Sequence, residues 1–212
     1  MRKELKFIIN QGDLELLYLN LLDNGFKVLY PPRNIFSIYY DTDSFLLFNY
    51  SEYGYSRRTK VRVRYYNDNV EDAFLEFKHK FDEAGTKTRH LISQYKNQFK
   101  ISSNKFKSFK IPMNINQDLV PTLGVNYDRY YLLSNNGDIR ITIDQNLQFG
   151  KIVRKKNNFY LNFYINLPTQ ILELKSDLSV SNYDKSLNAI FDKFNLIRSR
   201  FSKYCTGIKI IY

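Results

Sequence analysis

The sequence predicts an α+β fold in which antiparallel strands close into a β-barrel around a charged interior. Five stretches place charged or polar residues at every second position with apolar residues between: Arg2-Glu4-Lys6, Lys60-Arg62-Arg64, Glu76-Lys78-Lys80, Arg140-Thr142-Asp144 and Glu173-Lys175. Alternate side chains of a strand point to opposite faces, so each stretch offers one ionic face and one apolar face. The apolar faces are Leu5 and Phe7, Val61 and Val63, Leu75 and Phe77, Ile139, Ile141 and Ile143, and Leu172 and Leu174. Alternation alone favours an ordinary antiparallel sheet with one solvated face. Lys60, Arg62 and Arg64, however, stack one sign of charge on one face, which is unfavourable without a counter-charge. Strands also far outnumber the helices available to cover them, and closure into a barrel removes exposed edges.

Taken in order, residues 3–9 alternate and predict a strand, while residues 13–23 (DLELLYLNLLD) bring Leu14, Leu17 and Leu21 onto one helical stripe that stops at Gly25. Pro31-Pro32 predict a break. Residues 35–42 and 45–49 predict strands joined through Asp41-Thr42-Asp43-Ser44, with a loop around Gly54 after them. Residues 59–66 and 72–80 make a hairpin about Asn67-Asp68-Asn69. Beyond Gly85, residues 90–99 predict a helix, 100–110 an exposed lysine-rich stretch and 118–124 a short helix. Asn135-Asn136-Gly137-Asp138 is a hairpin signal between strands 126–133 and 139–146. Strands at 158–166 and 169–175 and helices at 183–195 and 198–205 complete the chain.

At 212 residues, with 43% apolar and 17% aromatic residues, the chain predicts one globular domain over 1–212 and excludes disorder. A net charge of +11 favours an anionic partner, whether nucleic acid, an acidic membrane surface or a small polyphosphate. The single Cys205 excludes an intrachain disulfide and, with no signal peptide in view, predicts a reducing, cytoplasmic setting. No stretch reaches the roughly 20 apolar residues that cross a bilayer, so membrane association is expected only through a membrane-protein partner. No His/Cys cluster suits zinc: His79 alternates to the apolar side and His90 heads the predicted helix. Cys205 is expected to be buried or half-buried.

The ordered motifs ELKF at 4–7, SIYYDT at 37–42, KVRVRYY at 60–66, LEFKHK at 75–80, KTR at 87–89, YDR at 127–129, RITID at 140–144, LELK at 172–175 and SKY at 202–204 are similar to the VTC catalytic domain. That family of polyphosphate polymerases lies in the triphosphate tunnel metalloenzyme superfamily. The resemblance implies an eight-stranded antiparallel β-barrel tunnel with flanking helices and a C-terminal helix at the tunnel mouth. It also implies a divalent cation, Mn2+ or Mg2+, and transfer of the ATP γ-phosphoryl group onto a growing inorganic polyphosphate chain, so ATP and polyphosphate are the expected partners and nucleic acid is disfavoured.

Carried over by motif, Arg62, Arg64, Lys78, Arg140 and Lys203 are implied as catalytic residues, Lys6, Lys87, Tyr127, Arg129 and Ser202 as phosphate-binding residues, and Glu173 as the metal ligand. The residue types suit those roles: guanidinium forks grip two phosphate oxygens, ammonium groups act as point charges, and a carboxylate is a hard ligand for Mn2+ or Mg2+. By residue type alone Glu4 and Glu76 read as salt-bridge partners that keep neighbouring lysines ionised, while Asp41 and Asp144 suit either indirect metal binding or capping of backbone amides and stay out of the catalytic set. Where tunnel hydrolases carry a first glutamate, this chain has Arg2, which agrees with the polymerase branch. A tunnel triphosphatase and a non-catalytic polyphosphate or nucleic-acid binding module are the competing readings.

Overall fold

The computed structural model describes residues 3–10, 12–82, 84–92, 105–106, 118–156, 158–176 and 185–212. Its strands are β1 (Lys3–Ile9), β2 (Phe26–Asp41), β3 (Arg57–Tyr66), β4 (Asn69–Phe81), β5 (Ala84–Leu91), β6 (Lys105–Phe106), β7 (Val120–Ser134), β8 (Ile139–Lys155), β9 (Asn158–Leu167), β10 (Gln170–Ser176) and β11 (Ile197–Arg198). The helices are α1 (Leu14–Asp23), α2 (Leu46–Glu52), α3 (Lys185–Lys193) and α4 (Lys203–Ile211). The α+β class is as expected. The strands pair along one mostly antiparallel path, β11-β1-β10-β8-β7-β2-β3-β4-β5, with β9 on β8 and β6 on β9. No pairing joins β11 to β5 among the described residues, so the sheet is open, and has eleven strands, where the sequence reading expects a closed eight-stranded barrel. The two ends are terminated differently: β11 is only two residues long, and β5 carries exposed Lys87 and Arg89, charges that blunt a free edge. No helix among the described residues is long and apolar enough to cross a membrane.

The backbone divides into two compact units, one of Met1–Arg33, Tyr127–Leu147 and Leu167–Phe201, the other of Asn34–Asn126, Gln148–Asn166 and Ser202–Tyr212. The first unit packs Leu5, Phe7 and Ile9 of β1, Leu172 and Leu174 of β10, and Ile139, Ile141 and Ile143 of β8 against Leu17 and Leu21 of α1 and Leu187 and Ile190 of α3. The second packs Val61 and Val63 of β3, Leu75 and Phe77 of β4, and Ile38 and Tyr40 of β2 with Leu47, Leu119 and Ile152. Every apolar strand face read from the alternation is therefore buried. Burial removes the apolar members of each strand from water at about 25 cal/mol per Å2, which is what fixes which face the ionic members occupy.

Local chemistry explains where elements agree with the sequence reading and where they depart from it. Gly25 follows α1 with φ +84°, the left-handed stop that an L side chain resists. Asn67 and Asp68 both take positive φ, 49° and 58°, making the two-residue turn between β3 and β4 that suits the twist of a hairpin. Pro31 and Pro32 do not break the chain; they lie exposed within β2, where a missing ladder N–H costs little. Residues 45–49 turn into α2 rather than a strand because Asp41 accepts hydrogen bonds from the amides of Leu47 (2.8 Å) and Phe48 (2.8 Å), and Thr42 Oγ1 accepts from Leu46 (3.0 Å). Residues 120–124 extend β7 instead of forming a helix, since Pro121, the β-branched Val120 and Thr122, and Gly124 all oppose helical backbone. His90 lies in β5, not at the head of a helix; the rest of that predicted helix from residue 93 on, and the lysine-rich stretch apart from β6, fall outside the described residues.

The predicted C-terminal helix starts later than expected and runs further. Ser202 Oγ accepts from the amide of Cys205 (3.3 Å) and so fixes the first turn of α4 at Lys203. Gly207 lets α4 lie against its neighbours: a Cβ there would stand 2.5 Å from Leu123 Cδ2 and 2.6 Å from Phe149 Cδ1, both in buried side chains. Gly207→Ala should thus destabilise the fold by about 1–3 kcal/mol, overpacking outweighing the ~1 kcal/mol gain in helix propensity. The check is urea unfolding, with a lower midpoint at unchanged slope.

Candidate functional site

In the second unit, strand register arranges the ionic faces of β2 to β5 into rows. Tyr39, Arg62, Glu76 and Arg89 form one row. Ser37 and Arg64 stand beside it on one flank, and Lys60, Lys78 and Lys87 form the next row on the other. The lysine row sets like charges directly opposite one another across two strand pairs, an arrangement that destabilises a sheet in the absence of anions.

Glu76 holds the middle of this face. Its side chain is 2% exposed; Oε2 accepts from Arg62 Nε at 2.7 Å and Oε1 from Lys87 Nζ at 2.6 Å, with Arg64 Nη1 at 3.9 Å and Arg89 Nε at 3.8 Å. Burial alone would raise the Glu76 carboxyl, but Arg62, Arg64 and Lys87 together hold it far below the usual carboxylate range. The ammonium of Lys87, although paired and with about half of its side chain in solvent, is lowered, because the partial burial of its charged end and the two guanidiniums outweigh the one carboxylate. Glu76 is thus the salt-bridge partner that the alternation allowed, shared among several cations.

Helix α4 adds two further groups to this unit. Lys60 Nζ donates to Ser202 Oγ at 2.7 Å, and Lys203 is the first residue of the helix, where backbone N–H groups favour anions. The helix is fastened by Tyr204, whose hydroxyl donates to Asp41 Oδ2 in a short hydrogen bond, so Asp41 caps α2 and anchors α4 at once. Cys205 is buried on α4, as expected, and His79 is stacked on Phe77 at 6.1 Å with Nδ1 2.8 Å from Thr59 Oγ1, away from the ionic face.

The first unit carries its own charged rows. Lys6 pairs in register with Glu173 and then Thr142; Glu4 pairs with Lys175 and then Arg140. Lys175 Nζ lies 2.7 Å from Glu173 Oε1 and 3.7 Å from Glu4 Oε2, while Lys6 Nζ lies 3.6 Å from Glu4 and donates to the Phe201 carbonyl at 3.1 Å. Burial would raise the Glu173 carboxyl, yet Lys6, Lys175 and Arg129 keep it well below the ordinary range and ionised. Arg129 is clamped by Asp144, Nε at 2.5 Å and Nη2 at 2.7 Å, and lies 5.3 Å from the centre of the buried Tyr127 ring. Arg140 is half-buried opposite Lys175.

The structure therefore brings Arg62, Arg64, Lys78, Lys87, Ser202 and Lys203 into one unit, and Lys6, Tyr127, Arg129, Arg140 and Glu173 into the other. Asp144 and Glu76, left out of the catalytic set, prove to be the carboxylates that orient Arg129, and Arg62 with Lys87. Both stand on the alternating ionic faces, but only register shows which cation each one grips. Lys60, Arg89 and Tyr39 also belong to these rows; Lys60 shares the period-two pattern of Arg62, whereas Arg89 and Tyr39 are placed by pairing across strands. No group of three or more His, Cys, Asp or Glu residues that could hold a metal occurs among the described residues. Glu173, ionised and bounded by the buried Thr142 whose hydroxyl lacks a partner, fits the pattern of Mg2+ or Mn2+ sites in which one carboxylate is completed by phosphate and water oxygens.

Because the Glu76 carboxyl is depressed in the folded state, its stabilisation is complete above about pH 4.3, the ordinary glutamate value, and is lost as the pH falls through its lower folded value. Glu76→Gln should cost about 2–4 kcal/mol at neutral pH, the lower part of the buried-pair range, by removing the buried charge that compensates the buried Arg64, the part-buried Arg62 and the half-exposed Lys87. Urea midpoints at neutral and acid pH check this, with the gap between the two proteins narrowing in acid.

Comparison with known proteins bears on the fold and the family. A solved structure of a candidate adenylate cyclase from Vibrio parahaemolyticus is 16% identical, with TM-score 0.52, covering 98% of this chain and 97% of its own. Another, a candidate adenylyl cyclase from Hippeastrum with a dominant triphosphatase activity, is 10% identical, with TM-score 0.56, covering 100% of this chain and 97% of its own. At such identities the likeness establishes the fold. No curated protein matches the chain. The family model of the VTC domain matches residues 1–212, and the chain belongs to the VTC domain family.

Proposed function

We propose that the protein is a polyphosphate polymerase that transfers the ATP γ-phosphoryl group to the end of an inorganic polyphosphate chain, and that residues 1–212 act as one VTC-like domain in the cytoplasm. The observation that carries this reading is the Lys60, Lys78 and Lys87 row beside Arg62 and Arg64, an array of like charge that a linear polyanion relieves along its length. Family membership supports it.

In this reading the terminal phosphate oxygen of the growing chain attacks the γ-phosphorus in line, and no side-chain nucleophile is needed. Arg62, Arg64, Lys78, Arg140 and Lys203 stabilise the charge that develops on equatorial and leaving oxygens. Lys6, Lys87, Tyr127, Arg129 and Ser202 hold the phosphates, Arg129 with the Nη1 that Asp144 leaves available. Glu76 and Asp144 pre-orient guanidiniums so that little reorganisation is required when phosphate arrives. Glu173 would hold Mn2+ or Mg2+, which when bound supplies charge neutralisation at phosphate oxygens. Hydrolysis of tripolyphosphate or a nucleoside triphosphate is the second reading, favoured by the fold shared with the Hippeastrum protein.

Incubation of the pure protein with ATP and manganese, followed by separation of long polyphosphate from free phosphate, distinguishes the two: polyphosphate is the expected product, and phosphate alone would establish the hydrolase instead. Glu173→Gln should abolish metal-dependent turnover with the circular dichroism spectrum unchanged. Arg62→Ala should reduce kcat/KM by at least ~2 kcal/mol of transition-state stabilisation, roughly 30-fold.

A further inference from the structure

Tyr39 lies in the Arg62 row, 5% exposed, with its ring stacked on Tyr204 at 5.0 Å and 20°. Its oxygen accepts a hydrogen bond from Arg62 Nη1 at 3.1 Å. That bond occupies the oxygen as an acceptor and leaves the hydroxyl hydrogen to be donated elsewhere; among the described residues no acceptor for it is found. A buried donor without an acceptor is costly, and a phosphate oxygen lying on Arg62 would supply one. Resting on the phosphate-binding reading above, we infer that Tyr39 is a further binding residue, donating its phenolic hydrogen to the phosphate oxygen that Arg62 holds.

The surroundings give this contact a pH dependence. The charged or titratable groups around the phenol are Arg62 and Arg64 of β3, Lys203 and Tyr204 of α4, Glu76 of β4 beyond Arg62, and Asp41 on its own strand, the last engaged by Tyr204. Burial alone would raise the phenol, but Arg62, Arg64 and Lys203 bring it down to about 8. Once ionised, Tyr39 offers no hydrogen to phosphate and instead places a competing negative charge on Arg62. A bound phosphate reverses this, because the phenol must regain its proton in order to donate.

Calorimetric titration with inorganic tripolyphosphate tests the inference on wild type and Tyr39→Phe, which keeps the ring on Tyr204 and removes only the hydroxyl. At neutral pH the variant should bind about tenfold more weakly, the fold-change that corresponds to one charge-assisted hydrogen bond of about 1.4 kcal/mol. Between neutral pH and pH 9 the wild-type affinity should fall more than that of the variant, the ligand's own titration being common to both. Just above pH 8, adding tripolyphosphate to wild type should lower the phenolate absorbance, a readout that stands even if the variant misfolds. Equal affinities with parallel pH profiles, or an unchanged phenolate signal on saturation, would overturn the role of Tyr39 while leaving the phosphate site intact; absence of binding to either protein would overturn the phosphate-binding reading and this inference with it.

Discussion

The repulsion among cations on one face of β3, β4 and β5 is the constraint around which the rest of this protein is arranged. Burial of Val61, Val63, Leu75 and Phe77 on the opposite face leaves Lys60, Arg62, Arg64 and Lys78 no choice of side. Glu76, buried and shared by Arg62 and Lys87, offsets part of the repulsion and fixes the geometry of what remains. The cations of this face outnumber the carboxylate they share, and the proposed phosphate binding draws on that excess of positive charge. In the proposed function, charge crowding that costs folding free energy becomes a source of binding free energy.

The same unit uses a second buried carboxylate for a structural purpose. Asp41 satisfies amides at the start of α2 and receives the Tyr204 hydroxyl of α4, so one side chain sets the position of two helices. Ser202 and Lys203 at the start of α4 are placed as a consequence, with Gly207 permitting the close approach that holds the helix down. Positioning and chemistry are divided among carboxylates: Asp41 locates a backbone, Glu76 and Asp144 orient guanidiniums, and Glu173, surrounded by Lys6, Lys175 and Arg129, remains ionised where a hard cation could join it.

What the sequence reveals and conceals follows the range of the interactions involved. Period-two alternation is local, so β1, the β3–β4 hairpin and β10, with every apolar face assigned to them, can be read directly, as can the stop at Gly25 and the turn at Asn67-Asp68. The helix α2 was hidden because its caps, Asp41 and Thr42, act through space on a segment whose Phe-Leu-Leu-Phe run resembles a strand. The strand at residues 120–124 was hidden by a short helical pattern that Pro121 and neighbouring β-branched residues override. Of the candidate site, the basic residues are visible as alternation and as motifs, whereas the carboxylates that grip them, and Tyr39, depend on the exact register between neighbouring strands, which alternation leaves open. Sheet closure is likewise a property of strand ends, which alternation does not report.

The most direct test of this account is a crystal structure of the protein grown with manganese and a nonhydrolysable ATP analogue. The account predicts the triphosphate within hydrogen-bonding distance of Lys60, Arg62, Lys78 and Lys203. A triphosphate seated on other surfaces, with those four side chains turned to bulk water, would contradict it.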